Sequence, residues 1–139
     1  LISALSATAN ENKVREKYAR LKDKKFDNIP LITESKITSL KTKELLAGIK
    51  KILGETLFEV AIQKKSIRSG KGKLRGRRYK KNAGLLLVVG KKEKLKTNAF
   101  DVKDISKLGV TDLAKGGAGR LTMYTENAIK EIGEKLKWN

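Results

Sequence analysis

Apolar residues recur along this chain with two spacings, and the change from one to the other marks out its elements. Leu1, Ile2, Leu5 and Ala9 share a helical face and Ala4 and Ala7 add propensity, so residues 1–9 are expected to form a helix that began upstream. Glu11–Asp27 is mixed and charged, with Val14, Tyr18 and Leu21 as a short helical stripe, and reads as a connection. Pro30 then introduces a short strand at Leu31-Ile32. Between Ser39 or Thr42 as N-cap and Gly54 as stop, Leu45, Leu46, Ile49, Ile52 and Leu53 follow the spacing of a buried helix face. Leu57, Phe58, Ala61 and Ile62 continue that stripe, but the run is short enough to be a strand instead.

Leu85-Leu86-Leu87-Val88-Val89, bracketed by Gly84 and Gly90, has no polar alternation, the pattern of a central strand covered on both faces. Phe100-Asp101-Val102 and Leu121-Thr122-Met123-Tyr124 are further candidate strands. Thr125 is placed to cap a terminal helix with Ala128, Ile129, Ile132 and Leu136 inward, and with Glu126–Lys130 and Glu131–Lys135 pairs outside. Strands alternating with helices predict an α/β layered sandwich with a mostly parallel central sheet. No internal repeat divides it, so residues 1–139 are expected to be a single domain carrying a basic glycine-rich loop at 64–83.

Charge narrows the function. Against 33 Lys and Arg stand 15 Asp and Glu, a formal +18 that points to a polyanionic partner. With neither Cys nor His, the chain can have no disulfide, thiolate metal site, Ser-His-Asp triad or zinc helix. The carboxylates are scattered among lysines and form no two-metal array, so an enzyme, a metal and a cofactor are not expected. No apolar run reaches the roughly 18–20 residues of a membrane helix. Ala7-Thr8-Ala9 imitates a signal-peptide cleavage site, but without a basic leader a buried helix is the better reading, and an intracellular protein is expected. The start at Leu1 rather than Met suggests a piece of a longer protein.

From Ala61 through Lys92 there is no acidic residue, and Lys64, Lys65, Arg68, Lys71, Lys73, Arg75, Arg77, Arg78, Lys80 and Lys81 crowd into one segment. Such a density of charge calls for solvent or a polyanion to neutralise it. Gly70, Gly72 and Gly76 allow positive φ and a close approach of main-chain N–H groups to phosphates, while Tyr79 is suited to stack on an unpaired base. A solvated charged loop is the plainer alternative. The second cluster, Gly116-Gly117-Ala118-Gly119-Arg120, lacks the Lys-Ser/Thr ending of a P-loop and leads into a strand. It reads as a tight turn, ahead of a phosphate nest that Arg120 and Lys115 would serve. Trp138 reads as a packing or docking anchor.

Two stretches together carry a resemblance: Ile67-Arg68-Ser69-Gly70-Lys71-Gly72-Lys73-Leu74-Arg75-Gly76-Arg77-Arg78-Tyr79, and Leu113-Ala114-Lys115-Gly116-Gly117-Ala118-Gly119-Arg120-Leu121-Thr122-Met123-Tyr124-Thr125-Glu126. Their order and the strand between them resemble the C-terminal portion of the universal large-subunit ribosomal protein four, in its archaeal and eukaryotic form, and Leu1–Asn10 resembles that family's Ala-rich helix. The resemblance implies a cytoplasmic α/β domain embedded in large-subunit rRNA among neighbouring ribosomal proteins. It implies a non-catalytic part in subunit assembly, with no membrane and no small-molecule substrate. It places rRNA contact on Arg68, Lys71, Lys73, Arg75, Arg77 and Arg78, and less firmly on Lys80, Lys81 and Arg120. The family's N-terminal strand region and long extended loop have no counterpart here, so tunnel lining is not assigned and an exposed sheet edge is expected. Lys115 stands where the family usually has Pro. Two other classes compete: a generic basic nucleic-acid binder, and an RNA-processing enzyme built on Glu93 and Lys94.

Overall fold

A computed structural model describes residues 1–21 and 29–136. Trp138 and the end of the Glu11–Asp27 connection lie outside the described residues. Helix α1 (Ile2–Ala9) is followed by α2 (Glu11–Lys17), strand β1 (Leu31–Thr33) and the long helix α3 (Thr42–Ala61). A two-stranded excursion, β2 (Lys65–Ile67) and β3 (Tyr79–Lys81), precedes β4 (Leu86–Val89), β5 (Asp101–Asp104), α4 (Val110–Leu113), β6 (Thr122–Thr125) and α5 (Glu126–Leu136).

The main sheet has the order β1-β6-β4-β5, and every neighbouring pair in it is parallel. Strand β4 lies inside it, with Leu86 opposite both Thr122 and Asp101, and Leu86 through Val89 are wholly buried. The period of two sends its side chains to different layers. Leu85, Leu87 and Val89 join Leu31, Met123 and the α2 and α3 residues Val14, Leu45, Ile49, Leu53 and Leu57 on one face. Leu86 and Val88 meet Tyr124, Ile105, Leu108, Leu113 and Ala128 on the other, with Ala4 and Leu5 of α1 packed alongside. Each fully buried aliphatic side chain contributes roughly 1.5–3 kcal/mol, so an unalternated apolar strand is stable only when covered twice.

Helix α3 corrects the expected boundaries. Lys41 occupies its N-cap position without a side-chain bond, while Ser39 donates instead to the Lys36 carbonyl. Gly54 takes φ of 71° and breaks the helix as expected, but a second helical stretch follows, so Leu57–Ala61 is helix and not strand. The buried row steps by four through Leu45, Ile49 and Leu53, which leaves Ile52 to one side and half exposed. Residues 11–17, read as connection, are helical because the Asn10 carboxamide accepts the Asn12 and Lys13 N–H groups and Val14 is buried.

At the carboxyl end of the sheet the Thr125 hydroxyl accepts the Ala128 N–H, as a cap should. Ile129 is exposed rather than inward. Glu131 accepts the Lys91 N–H and Lys135 donates to the Ile105 carbonyl, so these side chains tie α5 to the rest of the fold instead of pairing along it.

Gly116, Gly117 and Gly119 all have positive φ, the tight turn expected before β6. Gly119 also lies against α2, where a Cβ would stand 2.4 Å from the Lys13 carbonyl. Gly119→Ala is therefore expected to lower unfolding stability by about 3 kcal/mol or more. Gly133→Ala, on the exposed side of α5 with open space around it, should raise it by roughly 0.5–1 kcal/mol. Urea unfolding of the two variants checks both signs.

Candidate nucleic-acid interface

The basic segment is a hairpin rather than an open loop. Strands β2 and β3 pair antiparallel, with Lys65 opposite Lys81, Ser66 opposite Lys80 and Ile67 opposite Tyr79. Neither strand has a buried face, so no apolar alternation announced them. The Arg68 N–H donates to the Arg78 carbonyl at 2.8 Å, and the Arg68 side chain to the Arg77 carbonyl at 3.1 Å. Gly70 and Gly76 turn the chain at φ of 77° and 73°, and a short 3-10 turn lies between them. The N–H groups of Lys73, Leu74, Arg75 and Arg77 all bond to carbonyls of Gly70, Lys71 or Gly72. Those four main-chain donors are satisfied inside the tip and are not open to a phosphate.

Arg68, Lys71, Lys73, Arg75, Arg77, Arg78, Tyr79, Lys80 and Lys81 are all exposed on this hairpin, so the structure brings nine of the ten expected site residues onto one element. Among the described residues none of its cations has an acidic partner. Lys65 and Lys81 face each other directly, a like-charge juxtaposition that destabilises a ladder. The Lys65 ammonium lies 3.8 Å from the Tyr79 ring centroid, which eases that repulsion by a cation–π contact and occupies one face of the ring. Leu74 stands 81% exposed at the tip, between Lys73 and Arg75.

Arg120, the tenth expected contact, is a correction. Its side chain is buried: Nε donates to the Gly84 carbonyl at 2.9 Å, Nη1 to the Asp112 carbonyl at 2.8 Å and Nη2 to the Asp101 carboxylate at 2.6 Å. A guanidinium enclosed this way cannot meet a phosphate. Asp101 also accepts from Lys115 at 2.8 Å and from the Gln63 amide at 2.6 Å. Burial alone would raise the Asp101 carboxyl, but the hydrogen bonds from Lys115, Arg120 and Gln63 and the guanidinium charge outweigh it and hold it well below the usual carboxylate range.

This cluster grips both feet of the hairpin. Gln63 lies two residues before its first strand, and Gly84 three residues after its second. Around them the Gln63 N–H bonds to Ala99, the Lys64 N–H to the Asn82 side chain, and the Leu85 N–H to Ala61. The Tyr18 hydroxyl donates to the Ala83 carbonyl and accepts the Leu121 N–H. At Gly84 a Cβ would stand 2.3 Å from the Ala61 carbonyl oxygen, so only glycine lets the feet close. Gln63, Asn82 and Asp101 were missed from sequence. The one available hint was Gly84 bordering an apolar run.

Two other candidates lose their chemistry. Glu93 accepts from the Gly90 N–H, the Thr125 hydroxyl and the Asn127 amide, so it staples β4 to α5 and is not a free acid or base. Lys115 is engaged by Asp101, and Lys17, lowered to about 8 by burial and by the nearby Arg120 charge, donates to the Gly117 carbonyl. The second glycine cluster is therefore a structural turn.

No family model matches the chain. Curated relatives do. It is 38% identical over 145 residues to the large ribosomal subunit protein uL4 of Methanocaldococcus jannaschii, an alignment covering 97% of this chain and 55% of that protein. It is 38% identical to uL4 of Sulfurisphaera tokodaii, covering 99% and 53%. It is 34% identical to uL4 of Archaeoglobus fulgidus, covering 98% and 55%. The chain belongs to the uL4 family. It spans about half the length of the uL4 relatives it matches, and the hairpin and the glycine turn both lie within that half. These relatives are ribosomal proteins, named for a place in a subunit.

The cluster predicts a pH dependence. A carboxyl held below its unfolded value, near 3.9, contributes stability that is complete above about pH 5 and is lost as pH falls through that value towards the native one. Asp101 is partly open to solvent, so Asp101→Asn should lower stability at neutral pH by about 2–3 kcal/mol. The gap between wild type and variant should then narrow towards about pH 3. Chemical unfolding at a series of pH values measures it, and a gap that stays constant would contradict the assignment.

Proposed function

We propose that this chain is a structural constituent of the large ribosomal subunit, which binds and organises large-subunit rRNA during assembly beside neighbouring ribosomal proteins in the cytoplasm. The observation that carries the reading is the acid-free cationic hairpin held rigidly off a buried sheet. Phosphate contacts from Arg and Lys supply affinity, and the fixed shape of the hairpin selects a folded RNA surface over a random polyanion. Arg68, Lys71, Lys73, Arg75, Arg77, Arg78, Lys80 and Lys81 act through phosphates, and the half-exposed Tyr79 offers its ring to a base. The chain uses no catalytic group and no cofactor in this role. Relatives named for the large subunit support this reading over a generic binder, for which charge alone would suffice.

Replacing Arg75, Arg77 and Arg78 together with Ala tests it. All three are exposed and outside the core, so circular dichroism should be unchanged. Affinity for a folded large-subunit rRNA fragment should fall, and the slope of log affinity against log salt should flatten by roughly two to three. An unchanged slope in a folded variant would remove the hairpin from the interface.

A further inference from the structure

Beside the foot of the hairpin a groove of about 750 Å³ runs along the outer edge of β5, a volume within the roughly 300–1,000 Å³ usual for ligand sites. Lys81, Lys96, Thr97, Asn98 and Thr42 contribute polar groups to its lining, and Leu95 and Val102 apolar ones. Lys96, Asn98, Lys81 and Thr42 are exposed. The one acidic residue in the lining, Asp101, has Arg120 and Lys115 on its carboxylate, so that end carries two positive charges against one negative. Lys81 belongs to both hairpin and groove, which makes them one continuous cationic surface.

We propose that this groove receives an unpaired nucleotide of the RNA held by the hairpin. The inference rests on the RNA reading above and extends it from phosphate contact to base recognition. An A-form helix presents phosphates and 2′-hydroxyls but keeps its base faces stacked, whereas an unpaired base can lay one face on apolar side chains and offer its edge to an amide. The lining of the groove supplies those parts: Lys81 and Lys96 for the flanking phosphates, Leu95 and Val102 for a base face, and the Asn98 carboxamide, both donor and acceptor, for a base edge. The Thr97 hydroxyl accepts the Ala99 N–H, which fixes the turn that carries Asn98. A peptide strand added to the free edge of β5 would need no cations and would gain nothing from Lys81 and Lys96, so the charge favours RNA.

The test compares the whole chain with a Lys96→Ala/Asn98→Ala variant, both residues being exposed and away from the core. Each is titrated with a short unpaired oligoribonucleotide and with an RNA duplex of the same strand length. The variant should lose about tenfold in affinity for the unpaired strand and less than about twofold for the duplex. A photoreactive base in the unpaired strand should crosslink to the peptide containing Lys96–Ala99. Equal losses on both RNAs, no loss on either, or crosslinks confined to the hairpin would each overturn the groove proposal. The hairpin variant Arg75→Ala/Arg77→Ala/Arg78→Ala separates the two readings: if it weakens both RNAs while the groove variant changes neither, the groove fails and the rRNA reading stands. If the wild-type chain binds neither RNA nor a folded rRNA fragment, the rRNA reading itself fails.

Discussion

The ion pair between Arg120 and Asp101 is the contact on which the rest of the surface depends. It is the meeting point of four segments: β5 supplies the carboxylate, the turn before β6 supplies the guanidinium, and Gln63 and Gly84 bring in the two ends of the basic hairpin. Ten cations with no acidic partner among the described residues repel one another, and a hairpin with no buried face has no core of its own to resist that repulsion. Its geometry must come from its attachments. A carboxylate held by two cations and an amide, beneath a fully packed parallel sheet, is a rigid foundation, and the glycines at positions 84 and 119 let the backbones come close enough to complete it.

A division of labour between cations follows from this. Arg120 and Lys115 neutralise an internal carboxylate and belong to the fold. The arginines and lysines of residues 64–81 are exposed and, among the described residues, have no acidic partner, which leaves their charge open to a polyanion. The two groups are chemically alike and differ only in whether an acid lies within reach. Counting positive charge along the chain therefore overstates the candidate interface by the residues that the fold itself uses, Arg120 and Lys115 among them.

How far the architecture could be read from the sequence depends on whether each element advertises itself locally. Strand β4 did, because five apolar residues between glycines have few alternatives. Helix α3 did, because its buried row steps by four over many residues. Helix α2 did not: with seven residues, its stability comes from the Asn10 cap and from packing Val14 into a core made by distant segments. Strands β2 and β3 did not, because both of their faces are solvated and the alternation that marks a strand is missing. The candidate interface is visible in the sequence as charge and glycine spacing, whereas its anchoring is hidden, since Arg120 and Asp101 lie 19 residues apart and become neighbours only once β5 and β6 flank β4. The fold links the charged hairpin to the glycine turn: one is the exposed surface and the other carries the guanidinium that holds it.

The most direct test is amide hydrogen exchange at the feet of the hairpin in the free protein. The N–H groups of Gln63, Lys64 and Leu85 should exchange slowly in the wild type. With Arg120→Met they should exchange at least about tenfold faster than the accompanying loss of global stability dictates, while amides of β6 follow global stability alone. Fast exchange at these three positions in the wild type, or feet that stay as protected as β6 in the variant, would contradict the claim that the buried ion pair holds the basic hairpin in place.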